Sequence, residues 1–303
     1  MARLTLRSGN ERTPMALICI DQSNAFNTCR RDHILEGLKE GLPGLCRFFT
    51  LFHSFSSELR SGTGELLGYS HTGVHQGDPL GGTYHNMGFQ PTLVELDERI
   101  RTLVKHASPT DREPPCAVFA IHDDSYVALP PRLANEGVRI INALFEERGI
   151  QLNVSKCKII SDQDIPNAAY TLVRDGQVVL GTPIGFGEYE KDTTIASLNK
   201  KLEPLPALLT INPHVATRLM ERCVNQRVQY MSRTAEFEGS RIIFRDHFDV
   251  HIDRFLAAIL GENPPPDPPP LSLPPSLPPN PPPLSLPPPP SPPASPPAPH
   301  RTR

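Results

Sequence analysis

Two apolar stretches in the first half of the chain have the pattern of buried β-strands. Residues 15–20 are apolar throughout and end at Asp21, as in a buried strand with a carboxylate at its C-terminal end. A longer stretch, residues 117–129, is broken at its centre by His122, Asp123 and Asp124. This pattern predicts a β-hairpin whose tight turn carries two adjacent carboxylates. Two solvated turn aspartates are the simpler alternative, because Asp is common in turns.

Helical spacing of apolar residues accounts for most of the remaining sequence. Asp78 and Pro79 are typical N-cap and first-position residues of a helix. Together with the positions of Gly and Pro, the spacing predicts helices over residues 31–40, 45–55, 80–104 with a bend at Pro91, 131–148, and a wholly helical region over 190–261. Further strands are predicted over residues 58–71 as a pair, 156–160 and 178–181.

The order of these elements between residues 17 and 160 is strand, helix, hairpin, helix, strand, with residues 31–71 as an insertion. This is the βαββαβ order of a split, four-stranded sheet backed by two helices, in which the first strand lies beside the hairpin. Asp21 is then expected near Asp123 and Asp124. Three carboxylates at one edge of a sheet form a hard-oxygen site suited to Mg²⁺. Two such ions roughly 3.5–4 Å apart would stabilise both oxygens of a phosphoryl transfer.

The composition changes sharply at residue 263, beyond which 22 of the 36 prolines lie. This tail contains no aromatic residue, so we expect it to be disordered and rich in polyproline II conformation. About 260 residues remain to form a core. The net charge of −3 argues against a non-specific nucleic-acid coat but leaves room for a local basic channel.

The six cysteines show no C-x-x-C spacing, which disfavours zinc and disulfide frameworks and favours a reducing compartment. No apolar run approaches the length of a membrane span, and the N-terminus lacks a secretory signal. We therefore expect an intracellular protein, in the nucleus or cytoplasm, that is neither secreted nor inserted in a membrane.

Four sequence elements match, in order, successive motifs of reverse transcriptases, and they are most similar to the non-LTR retrotransposon type. They are DQSNAFN at residues 21–27, GVHQGDPLG at 73–81, IHDD at 121–124 and GIQLNVSKC at 149–157; LGTPIG at 180–185 resembles the primer-grip region. The resemblance covers about residues 15–262. It implies an α+β fold with a polymerase palm over residues 15–190 and an all-helical thumb over 191–262, flanked by a short N-terminal remnant (1–14) and the Pro-rich tail (263–303).

By this resemblance the chain is expected to be the RNA-directed DNA polymerase domain of a retroelement. Its partners would be an RNA or DNA template with a primer, and deoxynucleoside triphosphates. Asp21, Asp123 and Asp124 match the catalytic aspartates, which hold Mg²⁺ or Mn²⁺ for two-metal transfer to the primer 3′-hydroxyl.

Four further residues match positions that bind the incoming nucleotide. Phe26 corresponds to the aromatic residue beneath the sugar, which excludes a 2′-hydroxyl. Gln76 and Gly77 would line the nucleotide, and Lys156 would pair with or protonate the pyrophosphate leaving group. Simpler roles stay open: core packing for Phe26, a helix-entry turn for Gln76 and Gly77, and a solvated position for Lys156.

A basic row in the helical region, formed by Arg218, Arg222 and Arg227, has the spacing to follow a phosphate backbone. A solvated helix face explains it almost as well. The sequence also departs from the family where Ile121 replaces an aromatic residue two positions before the first turn aspartate.

Only twenty residues precede Asp21, whereas the family places a fingers subdomain there. We therefore expect a truncated domain with weak or no activity alone. The alternative is a non-catalytic relic or an interaction protein whose Pro-rich tail binds an adaptor domain. A stiff spacer or read-through of repetitive DNA is the simpler explanation of the tail.

Overall fold

A computed structural model of the chain describes residues 14–75, 77–107, 116–235 and 239–262. Three of the predictions concern residues outside these ranges: the N-terminal remnant up to residue 13, Gln76 and the Pro-rich tail. The side chain of Arg227 is also outside the description. The described residues form a mixed α+β fold.

The strands of the described residues form one large sheet and two small hairpins. They are β1 (Ala16–Ile20), β2 (Ser57–Arg60), β3 (Leu66–Ser70), β4 (Ala117–Ile121), β5 (Asp124–Leu129), β6 (Lys158–Ile160), β7 (Thr171–Val173), β8 (Gly176–Val179) and β9 (Thr182–Gly185). The large sheet has the order β4-β5-β1-β6-β7, and β2–β3 and β8–β9 form the hairpins. Strand β1 pairs antiparallel with β5 and β6, whereas β6 and β7 are parallel.

The helices of the described residues flank the large sheet and fill the C-terminal part. They are α1 (Ala25–Thr28), α2 (Arg31–Gly41), α3 (Cys46–His53), α4 (Gly81–Ala107), α5 (Ala134–Glu147), α6 (Tyr189–Leu202), α7 (Leu205–Leu208), α8 (Pro213–Leu219), α9 (Gln226–Thr234), α10 (Ser240–Ile243) and α11 (Val250–Leu260). π-Helical segments at Met220–Asn225 and Phe244–Asp249 join α8 to α9 and α10 to α11. None of the described helices combines the length and hydrophobicity needed to cross a bilayer.

Strand β1 is buried on both faces, which explains its uninterrupted apolar sequence. Alternate side chains of a strand point to opposite faces. Ala16, Ile18 and Ile20 accordingly join the core formed with α4 and α5. Leu17 and Cys19 join a second cluster, against the β8–β9 hairpin on the other face of the sheet. The strand that leads into Asp21 is therefore held from both sides.

Helices α2 and α4 cross at very short distance. A Cβ atom on Gly37 would lie 2.0 Å from the backbone oxygen of Met87, and one on Gly88 would lie 2.8 Å from Cγ1 of Ile34. Only glycine fits at such a crossing. The insertion that carries α2, α3 and the β2–β3 hairpin is thereby anchored to the main body.

The β8–β9 hairpin turns at Leu180 and Gly181, whose φ angles of 50° and 77° are both left-handed. The hydroxyl of Tyr230 in α9 donates a 2.7 Å hydrogen bond to the carbonyl oxygen of Leu180. The Thr182 and Thr234 hydroxyls lie 2.8 Å apart in a second hydrogen bond. These contacts hold α9 against the hairpin.

The sequence predicted the order of the main elements, and the described structure confirms it from β1 through α4, the β4–β5 hairpin and α5 to β6. The prediction of a four-stranded sheet was wrong, because β7 adds a fifth strand parallel to β6. The strand predicted over 178–181 ends at Val179, since Leu180 and Gly181 form a turn. That over 156–160 begins only at Lys158.

Candidate active site

Asp21 directly follows β1, and a neighbouring loop fixes its backbone. The amide of Asn153 donates to the Asp21 carbonyl at 2.9 Å, and the Asp21 amide donates to the Cys157 thiol at 3.4 Å. One residue further on, Gln22 forms an isolated antiparallel bridge with Leu152. The loop before β6 therefore sets where the Asp21 carboxylate emerges from the sheet.

Asp123 and Asp124 lie at the tip of the β4–β5 hairpin, as predicted. Ile121 pairs with Asp124, so His122 and Asp123 form the two-residue turn. His122 has a φ of 57°, in the left-handed region that such turns require. Because Ile20 pairs with Ser125 in the adjacent strand, the turn lies next to the end of β1.

Asp21 and Asp123 line one polar cleft, although about a hundred residues separate them in sequence. The cleft has a volume of about 200 Å³ and is lined by Asp21, Gln22, Asn24, Ala25, Phe26, Asn27, Asp123 and Lys156. Burial, followed by the negative charges of Asp123 and then Asp21, raises the pKa of Asp124. The three carboxylates are therefore electrostatically coupled, as carboxylates gathered in one place must be.

Lys156 supplies the positive charge of the cleft. Its Nζ lies 3.8 Å from Oδ2 of Asp21, and its side chain is 67% exposed. An exposed pair at this distance contributes little to stability. The lysine can therefore exchange its carboxylate partner for a phosphate at small cost.

Phe26 forms one wall of the cleft and is held between two histidine rings. Its ring stacks on His85 of α4 at a centroid distance of 4.8 Å, and the His122 ring lies 6.4 Å away. His85 is almost fully buried, its Nδ1 has no hydrogen-bond partner within the described structure, and burial lowers its pKa. A neutral imidazole therefore supports the Phe26 ring from behind.

The loop that carries Phe26 is bound to residues 72–74. The Val74 amide donates to the Phe26 carbonyl and the Gly73 amide to the Cys29 carbonyl, each at 2.8 Å. Arg31 in turn donates through Nε to the Gly73 carbonyl at 3.0 Å and through a terminal nitrogen to the His53 carbonyl at 3.0 Å. Together these bonds connect the position of Phe26 to the insertion.

Not every predicted residue reaches the cleft. Gly77 lies exposed in the loop before α4 and is not among the residues that line it. Its φ of 93° requires glycine, and a Cβ atom there would meet nothing within 4 Å, which fits a helix-entry turn. Arg218 and Arg222 are exposed in the C-terminal helical region. Both a contact with a phosphate backbone and a solvated helix face require this exposure.

The cleft does not have a closed set of metal ligands as it stands. In the ranges that the structure describes, no three His, Cys, Asp or Glu side chains are grouped so that they could hold a metal ion together. One or two carboxylates suffice for Mg²⁺, however, because it keeps several waters and shares substrate phosphates. Asp21 and Asp123 match that requirement in number and chemistry, with Asp124 adding negative charge beside them.

Sequence reasoning missed several residues that build the site. Gln22 is buried and its amide reaches the Asp123 carbonyl at 3.5 Å, while Cys157, His85 and Arg31 act through the contacts given above. Gln22 and Cys157 lie inside the motifs at residues 21–27 and 149–157, and His85 lies in the helix predicted over 80–104, but no pattern assigned these residues a role in the site. Their roles depend on contacts between segments far apart in sequence.

No protein-family model matches the chain, and no curated protein matches it either. Solved structures that superpose on it include telomerase from Candida tropicalis in complex with a TWJ fragment of telomeric RNA, at 14% identity and a TM-score of 0.42. The corresponding complex from Candida albicans has 10% identity and a TM-score of 0.44, and apo telomerase from Candida tropicalis has 10% and 0.46.

These superpositions cover 86%, 86% and 84% of this chain but 46%, 46% and 49% of the telomerase chains, in the same order. The chain thus spans about half the length of the structures it matches. At identities of 14% or less and TM-scores below 0.5, the likeness does not identify a family.

Proposed function

We propose that the chain carries the nucleotidyl-transfer site of a reverse-transcriptase-type polymerase, of retroelement origin. The observation that carries the proposal is the cleft in which Asp21, at the end of β1, meets Asp123 from the β4–β5 turn. The large sheet with α4 and α5 would act as the palm, and the helices beyond residue 190 as the thumb. The substrates would be a primed RNA or DNA template and deoxynucleoside triphosphates.

Asp21, Asp123 and Asp124 would hold Mg²⁺ or Mn²⁺. When bound, such an ion stabilises negative charge on the transferring phosphoryl group. The raised pKa of Asp124 supports this assignment in part: burial is its largest cause, and the negative charges of Asp123 and Asp21, which a cation would offset, come next. The fixed backbones of Asp21 and Asp123 keep the two main carboxylates aimed at the same space.

The other residues of the cleft would position the nucleotide. Lys156, exposed and 3.8 Å from Asp21, would bind the triphosphate and give the leaving pyrophosphate a proton or a charge partner. The Phe26 ring, supported by His85, would lie against the sugar and exclude a 2′-hydroxyl. Gln76 would line the nucleotide, as the resemblance implies, whereas Gly77 would serve the turn that begins α4.

Metal binding tests the proposal without requiring turnover. Mn²⁺ titrations followed by electron paramagnetic resonance should show a site in the wild-type chain that Asp123→Asn weakens by about tenfold or more, since it removes one of two main carboxylate ligands. Asp164→Asn is the matched control, because Asp164 is 74% exposed and pairs with Arg174 away from the cleft. Equal Mn²⁺ affinity in wild type and Asp123→Asn would contradict the assignment.

Primer extension on a homopolymer template then tests the reaction. We expect extension by the wild-type chain with Mg²⁺ or Mn²⁺ to be weak; whatever extension it shows should disappear in Asp21→Asn and persist in Asp164→Asn. Extension that survives both Asp21→Asn and Asp123→Asn would place the activity elsewhere.

A further inference from the structure

Helix α3 has apolar side chains on two opposite faces. Phe49 and His53 point inward and are buried. Phe48, Leu51, Phe52 and, just beyond the helix end, Phe55 follow i, i+3, i+4, i+7 spacing and are 48%, 72%, 57% and 79% exposed. We name these four residues the outer stripe. Such spacing is how a helix presents one face to a packing partner.

The outer stripe lies in the most apolar part of the described surface. Of the nineteen exposed large hydrophobic residues in the described ranges, nine fall between positions 42 and 69. The β2–β3 hairpin contributes Leu67 and Tyr69, 68% and 50% exposed. A two-stranded hairpin is marginally stable alone. Apolar surface concentrated in this way marks an interaction site.

The charges around the outer stripe decide which class of partner fits. Residues 42–72 contain two arginines and two glutamates, and Arg60 is paired with Glu58 at 2.8 Å. Nucleic acid would require an excess of positive charge to neutralise its phosphates. A surface without net charge instead fits another apolar protein surface.

The exposed area of the outer stripe is about 500 Å² per copy, taking roughly 200 Å² for each large side chain. Two copies packed stripe to stripe would bury about 1,000 Å², which is the lower bound for a specific interface. A two-fold axis through Leu51 would bring the outer stripes of the two copies against each other, as in any two-fold interface. We propose that α3 forms a weak, two-fold symmetric dimer contact with a second copy of this chain, through the outer stripe.

Sedimentation velocity of the full chain over a concentration series should show a monomer–dimer equilibrium with a micromolar dissociation constant, as expected of an interface this small. Leu51→Glu should raise that constant by about tenfold or more, because it places two like charges in the centre of the contact. Leu260→Glu, at a helix residue that is 68% exposed, is the matched control and should leave the constant unchanged.

A mixing experiment makes the test specific for the symmetric contact. Leu51→Glu and Leu51→Lys chains should each be monomeric alone but associate when mixed, since the two charges then face each other across the axis. A wild-type chain that stays monomeric at all concentrations would overturn the proposal. So would equal effects of Leu51→Glu and Leu260→Glu, or a failure of the mixture to associate.

The same variants test whether nucleic acid, and not a second copy of the chain, binds the outer stripe. Anisotropy of a labelled oligothymidine should not change between wild type and Leu51→Glu. If the wild-type chain is monomeric and Leu51→Glu weakens oligothymidine binding, the outer stripe serves nucleic acid, and the dimer proposal is overturned.

Discussion

Gly73 is the residue whose replacement tests most directly how the Phe26 loop is held. Its φ is 65°, and a Cβ atom built on it would lie 2.3 Å from the carbonyl oxygen of Phe26 and 2.4 Å from the carbonyl group of Asn27. Both neighbours are backbone atoms, which cannot move aside as the end of a flexible side chain would. In Gly73→Ala, either the 72–74 segment or the Phe26 loop must shift.

Two contributions set the size of the effect. A left-handed conformation costs a non-glycine residue about 1–2 kcal/mol, and forced overlap in a packed site typically adds 1–3 kcal/mol. We therefore expect Gly73→Ala to lower the free energy of unfolding by about 2–5 kcal/mol. Gly149→Ala is the matched control, because Gly149 has a φ of 69° and open space around the Cβ position, so it should cost only about 1–2 kcal/mol.

Urea unfolding followed by far-ultraviolet circular dichroism measures both variants, and the method suits a chain without tryptophan. With a slope of about 3 kcal/mol/M, Gly73→Ala should lower the midpoint by about 0.7–1.7 M and Gly149→Ala by about 0.3–0.7 M. Equal midpoints for the two variants would refute the reasoning, since only the backbone overlap distinguishes them. If the loop yields instead, and Phe26 has its proposed place beneath the sugar, Gly73→Ala should also weaken selection against ribonucleotides.

Three further predictions concern single contacts. The folded-state pKa of Asp124 is raised, so the ionised carboxylate destabilises the folded state above that pKa. Asp124→Asn should therefore raise the melting temperature at pH 7. This gain should shrink as the pH falls, because the wild-type carboxylate then takes up its proton. The folded-state pKa of His85 is lowered by burial, so stability is lost as the pH falls through about 6.5, where the unfolded state binds a proton. His85→Leu should remove that part of the acid-induced loss in thermal melts at pH 5 and 8, and an unchanged loss would contradict it. Tyr230→Phe should cost about 0.5–1.5 kcal/mol, because the Leu180 carbonyl loses its donor, and should accelerate exchange of the paired amides of the β8–β9 hairpin; unchanged exchange would show that this bond does not hold the turn.

The main architecture could be predicted from sequence because the local patterns and the global order agree. Residues 15–20 read as a buried strand, and the His122-Asp123 break marked the hairpin turn. Split-sheet topology then brought Asp21 to the β4–β5 turn, and the cleft that both aspartates line supports that inference. Periodicity and turn chemistry were sufficient for these steps.

The remaining features could not be predicted, because they depend on contacts that periodicity does not encode. Strand β7 has only three residues and pairs in parallel with β6. Its apolar pattern is therefore too short to be distinguished from a chance run. The turn at Leu180 places a branched residue in the left-handed region, which sequence rules assign to Gly, Asn or Asp. The support of Phe26 by His85 follows from the approach of α4 to the α1 loop and is visible only in three dimensions.

The two-sided burial of β1 has a consequence for how this chain tolerates mutation. In a strand with one solvent-exposed face, every second position accepts polar residues. The tolerance to polar substitution measured by saturation mutagenesis then alternates along the strand. Between Ala16 and Ile20 there is no such face, so five consecutive positions should reject every hydrophilic replacement. The anchor of the proposed catalytic carboxylate would thus tolerate little sequence drift, because no position in it accepts a polar side chain.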